Sequence, residues 1–145
     1  MLRSLVLVLL ILPTLALADV GVRVEFGGWS RHFSAFSKNV TNETHQILAV
    51  EYRGFGIGRF ENSFGRNTLF VSKIWRQHSV MGLKNLNAVA SLGLSKGYRV
   101  CYGDDSSQSN ICPHGYIGLE YIQGFFYHAM KFQPAVVVYN MGVEF

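Results

Sequence analysis

Two residues of this sequence have the types that acyl transfer requires, His32 and Ser63. A serine hydroxyl is a weak nucleophile near neutral pH until a positioned base takes its proton, and a third group must orient that base. Glu61 and Asn62 adjoin the serine. The Asn62 amide can hydrogen-bond a ring nitrogen or donate to an oxyanion, but it has no charge with which to stabilise an imidazolium. Glu61 has the charge, yet it neighbours Asn62, and a neighbouring strand residue normally points to the opposite face. A loop histidine and a turn serine with no chemistry fit the same spacing.

A second constellation is Cys101 and Cys112, which flank the polar segment 103–110. In an exported chain they are expected to form a disulfide that staples a hairpin connection. A metal site from Cys101, Cys112 and His114 lacks the repeated ligand spacing of structural zinc sites. No metal and no cofactor is therefore expected.

The elements that must hold these residues are strands. Met1-Leu2-Arg3, the apolar run from Leu5 to Leu12 and the small-residue Ala16-Leu17-Ala18 give residues 1–18 the form of a secretory signal. Residues 19–145 are then a single domain with too few charges for a nucleic-acid binder, since only 15% of the whole chain is charged. Strict alternation marks strands at residues 20–27, 86–95, 117–122 and 137–145, and weaker patterns mark 46–53, 55–63, 67–75 and 98–102. Eight strands close into one barrel. The sparse charge favours an apolar outer belt around a polar lumen, so the expected fold is all-β, an eight-stranded antiparallel transmembrane barrel of a bacterial outer membrane. Arg23, Glu25, Glu51, Arg53, Glu120 and Glu144 are the expected lumen charges. A closed barrel has no free edge, which predicts a monomer.

Counting strands from a periplasmic start puts residues 29–45 and 62–66 in external loops, so His32 and Ser63 share one mouth. Arg31 and Arg66 lie there too, placed to meet acidic lipid headgroups. The same count puts a hairpin tip near Lys96-Gly97, the Cys101–Cys112 connection at the opposite end and residues 123–133 in the last external loop. Gly54, Gly56 and Gly58 share one face of a strand, either to leave room for an acyl chain or to curve the backbone.

The order Trp29-Ser30-Arg31-His32, Asn42-Glu43, Gly54-Phe55-Gly56-Ile57-Gly58, Asn62-Ser63 and an aromatic strand ending at Trp75 resembles the outer-membrane lipid A palmitoyltransferase (PagP-like) family. The terminal Phe145 is shared, and it looks like the signal recognised by the outer-membrane assembly machinery. The resemblance implies an eight-stranded barrel that moves a fatty acyl chain from a phospholipid to lipopolysaccharide's lipid A, with His32 as catalytic histidine and Ser63 as catalytic serine. Asn62 stands where the family has aspartate. That departure admits an alternative, a non-enzymatic surface barrel that keeps the scaffold and has lost the chemistry. A secreted soluble barrel carrying a lipophilic ligand is the third reading.

Overall fold

The computed structural model of the protein describes residues 21–33, 40–98 and 110–145. Eight strands, β1 (Val22–His32), β2 (Thr44–Tyr52), β3 (Phe55–Glu61), β4 (Asn67–Gln77), β5 (Leu86–Tyr98), β6 (Asn110–Gln123), β7 (Phe126–Gln133) and β8 (Val136–Glu144), form one closed barrel in which each pairs antiparallel with its neighbours in sequence and β8 returns to β1. The expected secretory signal at 1–18 lies outside the described residues, as does Cys101 and with it the expected disulfide.

Two strand assignments change. Lys96 and Gly97 are not a hairpin tip: β5 continues through them to Tyr98 and pairs with Asn110, so the expected short strand at 98–102 does not start there. Residues 126–133, expected as a loop, are β7. Their outward face mixes Phe126, Met130 and Phe132 with His128, and their inward face mixes Tyr127 and Ala129 with Lys131, so no clean alternation survives. The longer β5 puts Tyr98 and the start of β6 at Asn110 at the end of the barrel that holds His32 and Ser63.

Alternation alone leaves open which face looks outward, and the coordinates place the apolar face outside. Ile57, Leu69, Leu92 and Ile117 are 61–65% exposed, whereas Glu120 on the inner face is 2% exposed. Inside, Arg23 bonds Glu120 at 2.8 Å and also pairs with Glu144. Arg76 forks onto Glu51 through two bonds of 2.9 Å and reaches Glu120 at 2.6 Å. Lys131 holds Glu25 at 2.5 Å. A buried charge is tolerable only when paired and hydrogen-bonded, and this cluster ties six of the eight strands through such pairs. Arg53 is the exception among the expected lumen charges. It lies in the β2–β3 turn with its guanidinium 5.2 Å from the Tyr52 ring centroid.

The expected first loop is also shorter than 29–45, because β1 runs on to His32 past an irregularity. The register of β1 with β8 slips between Phe26 and Trp29, where β1 has one residue more than β8, and its register with β2 slips the opposite way between Gly27 and Trp29, where β1 has one residue fewer than β2. Gly28 occupies the bulge at φ +125, and a Cβ there would stand 2.8 Å from Ile47 Cδ1. A one-residue slip swaps the faces of everything beyond it. Arg23 and Glu25 point inward at odd positions, and His32, at an even one, has a side chain only 11% exposed.

Gly28→Val is expected to clash with Ile47 and to force a branched residue into a left-handed backbone, costing at least about 1–3 kcal/mol. Urea unfolding of the folded chain in lipid vesicles measures this, and an unchanged midpoint would contradict the role of the bulge.

Candidate active site

The turn 62–66 between β3 and β4 carries the serine. Asn62 is fully buried, and its side chain builds that turn: the amide oxygen accepts from Phe64 N at 3.0 Å and Arg66 N at 3.1 Å, while Nδ2 donates to Thr68 Oγ1 at 3.0 Å and to the Gly97 carbonyl at 3.3 Å. All four partners of this amide are structural. The expectation that Asn62 bonds a ring nitrogen or donates to an oxyanion meets an amide whose bonds all go to the turn and the strands beside it, so that it fixes the turn on which Ser63 stands.

A second set of bonds docks the β1–β2 connection on the same turn. The Ser63 carbonyl accepts from the backbone N–H of Thr41 at 2.9 Å and of Asn42 at 3.1 Å. Asn42 Nδ2 donates to the Asn62 carbonyl at 3.3 Å, and its Oδ1 caps Thr44 N at 2.9 Å. The backbone N–H of Ser30 donates to the Glu43 carbonyl at 2.8 Å, which lays Glu43 beside the end of β1.

These constraints bring His32 and Ser63 together. The Ser63 hydroxyl and His32 Nε2 lie within a hydrogen bond of 3.0 Å, the spacing of a nucleophile with its base. On the far side of the ring, Nδ1 is buried without a hydrogen bond, and the nearest carboxylate oxygen is Glu43 Oε1 at 3.7 Å. That is less than about 1 Å beyond hydrogen-bond length. Arg31 Nη1 stands 3.7 Å from the other Glu43 oxygen, so the Arg31 guanidinium holds the carboxylate from outside. Glu43 is therefore the carboxylate placed behind the imidazole, at a distance beyond a hydrogen bond. Sequence spacing gave no hint of this because the Asn42-Glu43 pair lies twenty residues from the serine and reaches it only through the loop contacts. Glu61 is not the acid: its backbone carbonyl accepts from His45 Nδ1 at 2.7 Å, and its carboxylate approaches Gly65.

Ser63 stands at the mouth of a cavity that runs down the lumen. The upper part is lined by His45, Ile47, Phe60, Phe70, Tyr98, His114, Val136 and Val138. Phe60 sits among the rings, with centroids 5.9 Å from Phe70, 5.9 Å from His114 and 6.5 Å from Tyr98. Below them Tyr116, Tyr127, Lys131, Glu25 and Arg23 close the cavity with the charged cluster. An apolar, ring-walled chamber that begins at a nucleophile and stops at a polar floor suits a hydrocarbon chain better than a polar ligand.

The other expected substrate residues divide. Arg31 and Arg66 lie at the serine's end of the barrel, and Gly54 lies in the β2–β3 turn at the opposite end. Gly56 lines the cavity. At Gly58 a Cβ would fall 2.4 Å from Ala49 Cβ, so glycine is needed there for the approach of β2 and β3 rather than to leave space. His114 stacks 5.2 Å from Phe70 as part of the chamber wall, and among the described residues no cluster of His, Cys, Asp and Glu could hold a metal. Comparison with protein-family models, curated proteins and solved structures finds no match to the chain.

Asn62→Asp replaces a donor with an acceptor facing the Gly97 carbonyl. The change is expected to cost on the order of 1–3 kcal/mol and to loosen the turn. Unfolding midpoints of the two forms test this, and a variant as stable as the parent would show that Asn62 does not organise the turn.

Proposed function

We propose that the protein is an acyltransferase of the bacterial outer membrane, moving a fatty acyl chain from a phospholipid to a lipid acceptor of the lipid A type. The observation that carries the reading is the Ser63–His32 hydrogen bond of 3.0 Å at the mouth of an apolar chamber, with Glu43 behind the imidazole. The resemblance to lipid A palmitoyltransferases supports the lipid classes, and Glu43 answers the difficulty raised by Asn62.

The surface supports a membrane setting. Among the described residues no helix is long and apolar enough to cross a bilayer. The outward face is a belt of Leu, Val and Ile, and aromatic residues gather at its two margins: Trp29, Phe33 and Phe64 at the serine's end, and Tyr52, Phe55, Trp75, Tyr121 and Phe126 at the other. Apolar belts flanked by aromatic girdles with charges in the lumen are the arrangement of membrane barrels. A soluble lipid carrier would require the reverse. In this orientation the serine opens at the surface where the headgroups of both lipids lie.

In the proposed reaction His32 Nε2 takes the hydroxyl proton as Ser63 Oγ attacks the ester carbonyl carbon of the phospholipid. Collapse of the tetrahedral intermediate breaks the ester bond, and the departing lysophospholipid oxygen receives the proton from His32. Ser63 then carries the acyl group, whose tail occupies the chamber. An acceptor hydroxyl gives its proton to His32, attacks the serine ester and leaves acylated, returning the proton to Ser63. Glu43 supports each imidazolium by accepting a bond from Nδ1, with Arg31 keeping the carboxylate in place.

Mass spectra of lipid A from an outer-membrane-bearing host expressing the chain are expected to gain the mass of one acyl chain. His32→Ala and Ser63→Ala should abolish the gain at equal membrane abundance, and Glu43→Gln should slow it by about 10²-fold or more through loss of the orienting charge. Unchanged lipid A with properly inserted protein would reject this activity and favour the non-enzymatic barrel.

A further inference from the structure

The outward face of β3, β4 and β5 breaks the apolar belt at one level. Arg59 pairs across the sheet with Leu69, and Leu69 pairs with Lys96, so the two cations flank a leucine in a single row. Both are exposed, and they stand two strands apart, about 10 Å. Arg66, half-buried in the turn above, completes a triangle just below the segment that carries Ser63.

Two cations at the other end of the barrel, Lys73 and Arg53, are covered by rings of the protein itself. Lys73 Nζ lies 4.0 Å from the Phe55 ring centroid, and Arg53 covers Tyr52. Among the described residues Arg59 and Lys96 have neither a ring nor a carboxylate; Glu61, two residues from Arg59 on the same face, makes no ion pair with it. Cations at the headgroup level of a bilayer with no partner in the protein are matched by anions of the lipid. Two of them held apart by strand spacing, with a third above, suit separate phosphates better than a single one.

We propose that Arg59 and Lys96, with Arg66 above them, dock a lipid whose headgroup carries two or more phosphates and so present it from the β3–β5 side to Ser63. The site rests on the membrane reading above. A lipid held here has its polar part beside the turn 62–66 and its chains along Ile57, Val71 and Leu94, the exposed apolar row below the cations.

The test uses the full chain folded in a zwitterionic detergent, with bound lipid counted by native mass spectrometry. A bisphosphorylated lipid A is expected to bind more tightly than phosphatidylglycerol, and the Arg59→Gln/Lys96→Gln double variant to bind it about ten-fold or more weakly, as two surface cations are lost. Phosphatidylglycerol binding should change little. Ser63→Ala should retain full lipid binding, since binding is read without turnover and stands apart from the acyl-transfer reading. Heat-modifiable gel mobility verifies that each variant is a folded barrel. Equal affinity of the double variant and the parent, or phosphatidylglycerol bound as tightly as the bisphosphorylated lipid, would overturn the proposal.

Discussion

A one-residue slip in β1 decides what this barrel can do. Side chains alternate strictly along a strand, so a residue's face is fixed by its parity unless the strand slips. The charged cluster requires Arg23 and Glu25 inside, where they meet Glu120, Glu144 and Lys131. The Ser63 partnership requires His32 inside as well. Both cannot hold on a regular strand. The Gly27–Gly28 bulge reconciles them, and its register shift against both neighbouring strands shows that the correction is local to β1. Gly28 is the residue that can accept the backbone conformation and the contact with Ile47 together.

The bulge also divides the lumen into two regimes. Toward the chain termini, three cations face four carboxylates in a network that closes only when β1, β2, β4, β6, β7 and β8 are all in place. Removing any member leaves a charge in a poorly solvated interior, so the network specifies the register of the barrel more than it adds to its stability. Toward the other end the lining turns to rings and aliphatic side chains, and the polar groups concentrate in the 62–66 turn and the connection docked on it. The boundary between them defines how deep an apolar ligand can go.

Much of this architecture was legible in the residues. The polar-in, apolar-out pattern of β5 reads directly from Asn87, Val89, Ser91, Gly93 and Ser95 alternating with Leu86, Ala88, Ala90, Leu92 and Leu94. Counting the first three strands puts His32 and Ser63 at one mouth, and the total of eight is reached by an exchange: the short strand expected at 98–102 gives way to the longer β5, and β7 takes its place in the count. β7 was illegible because its inward Lys131 and outward His128 serve specific partners, Glu25 and Tyr139, that only the closed barrel supplies. Glu43 was illegible as an acid for a similar reason. Its approach to His32 depends on Asn42, Ser30 and the Ser63 carbonyl, none of which marks it in sequence.

The central claim is that Ser63 is an activated nucleophile. A lipophilic fluorophosphonate added to the purified barrel in detergent, followed by peptide mass spectrometry, tests it without reference to any lipid acceptor. The account predicts a single covalent adduct on the peptide containing Ser63, with labelling lost in His32→Ala. An unlabelled chain, or labelling equally fast without His32, would contradict it.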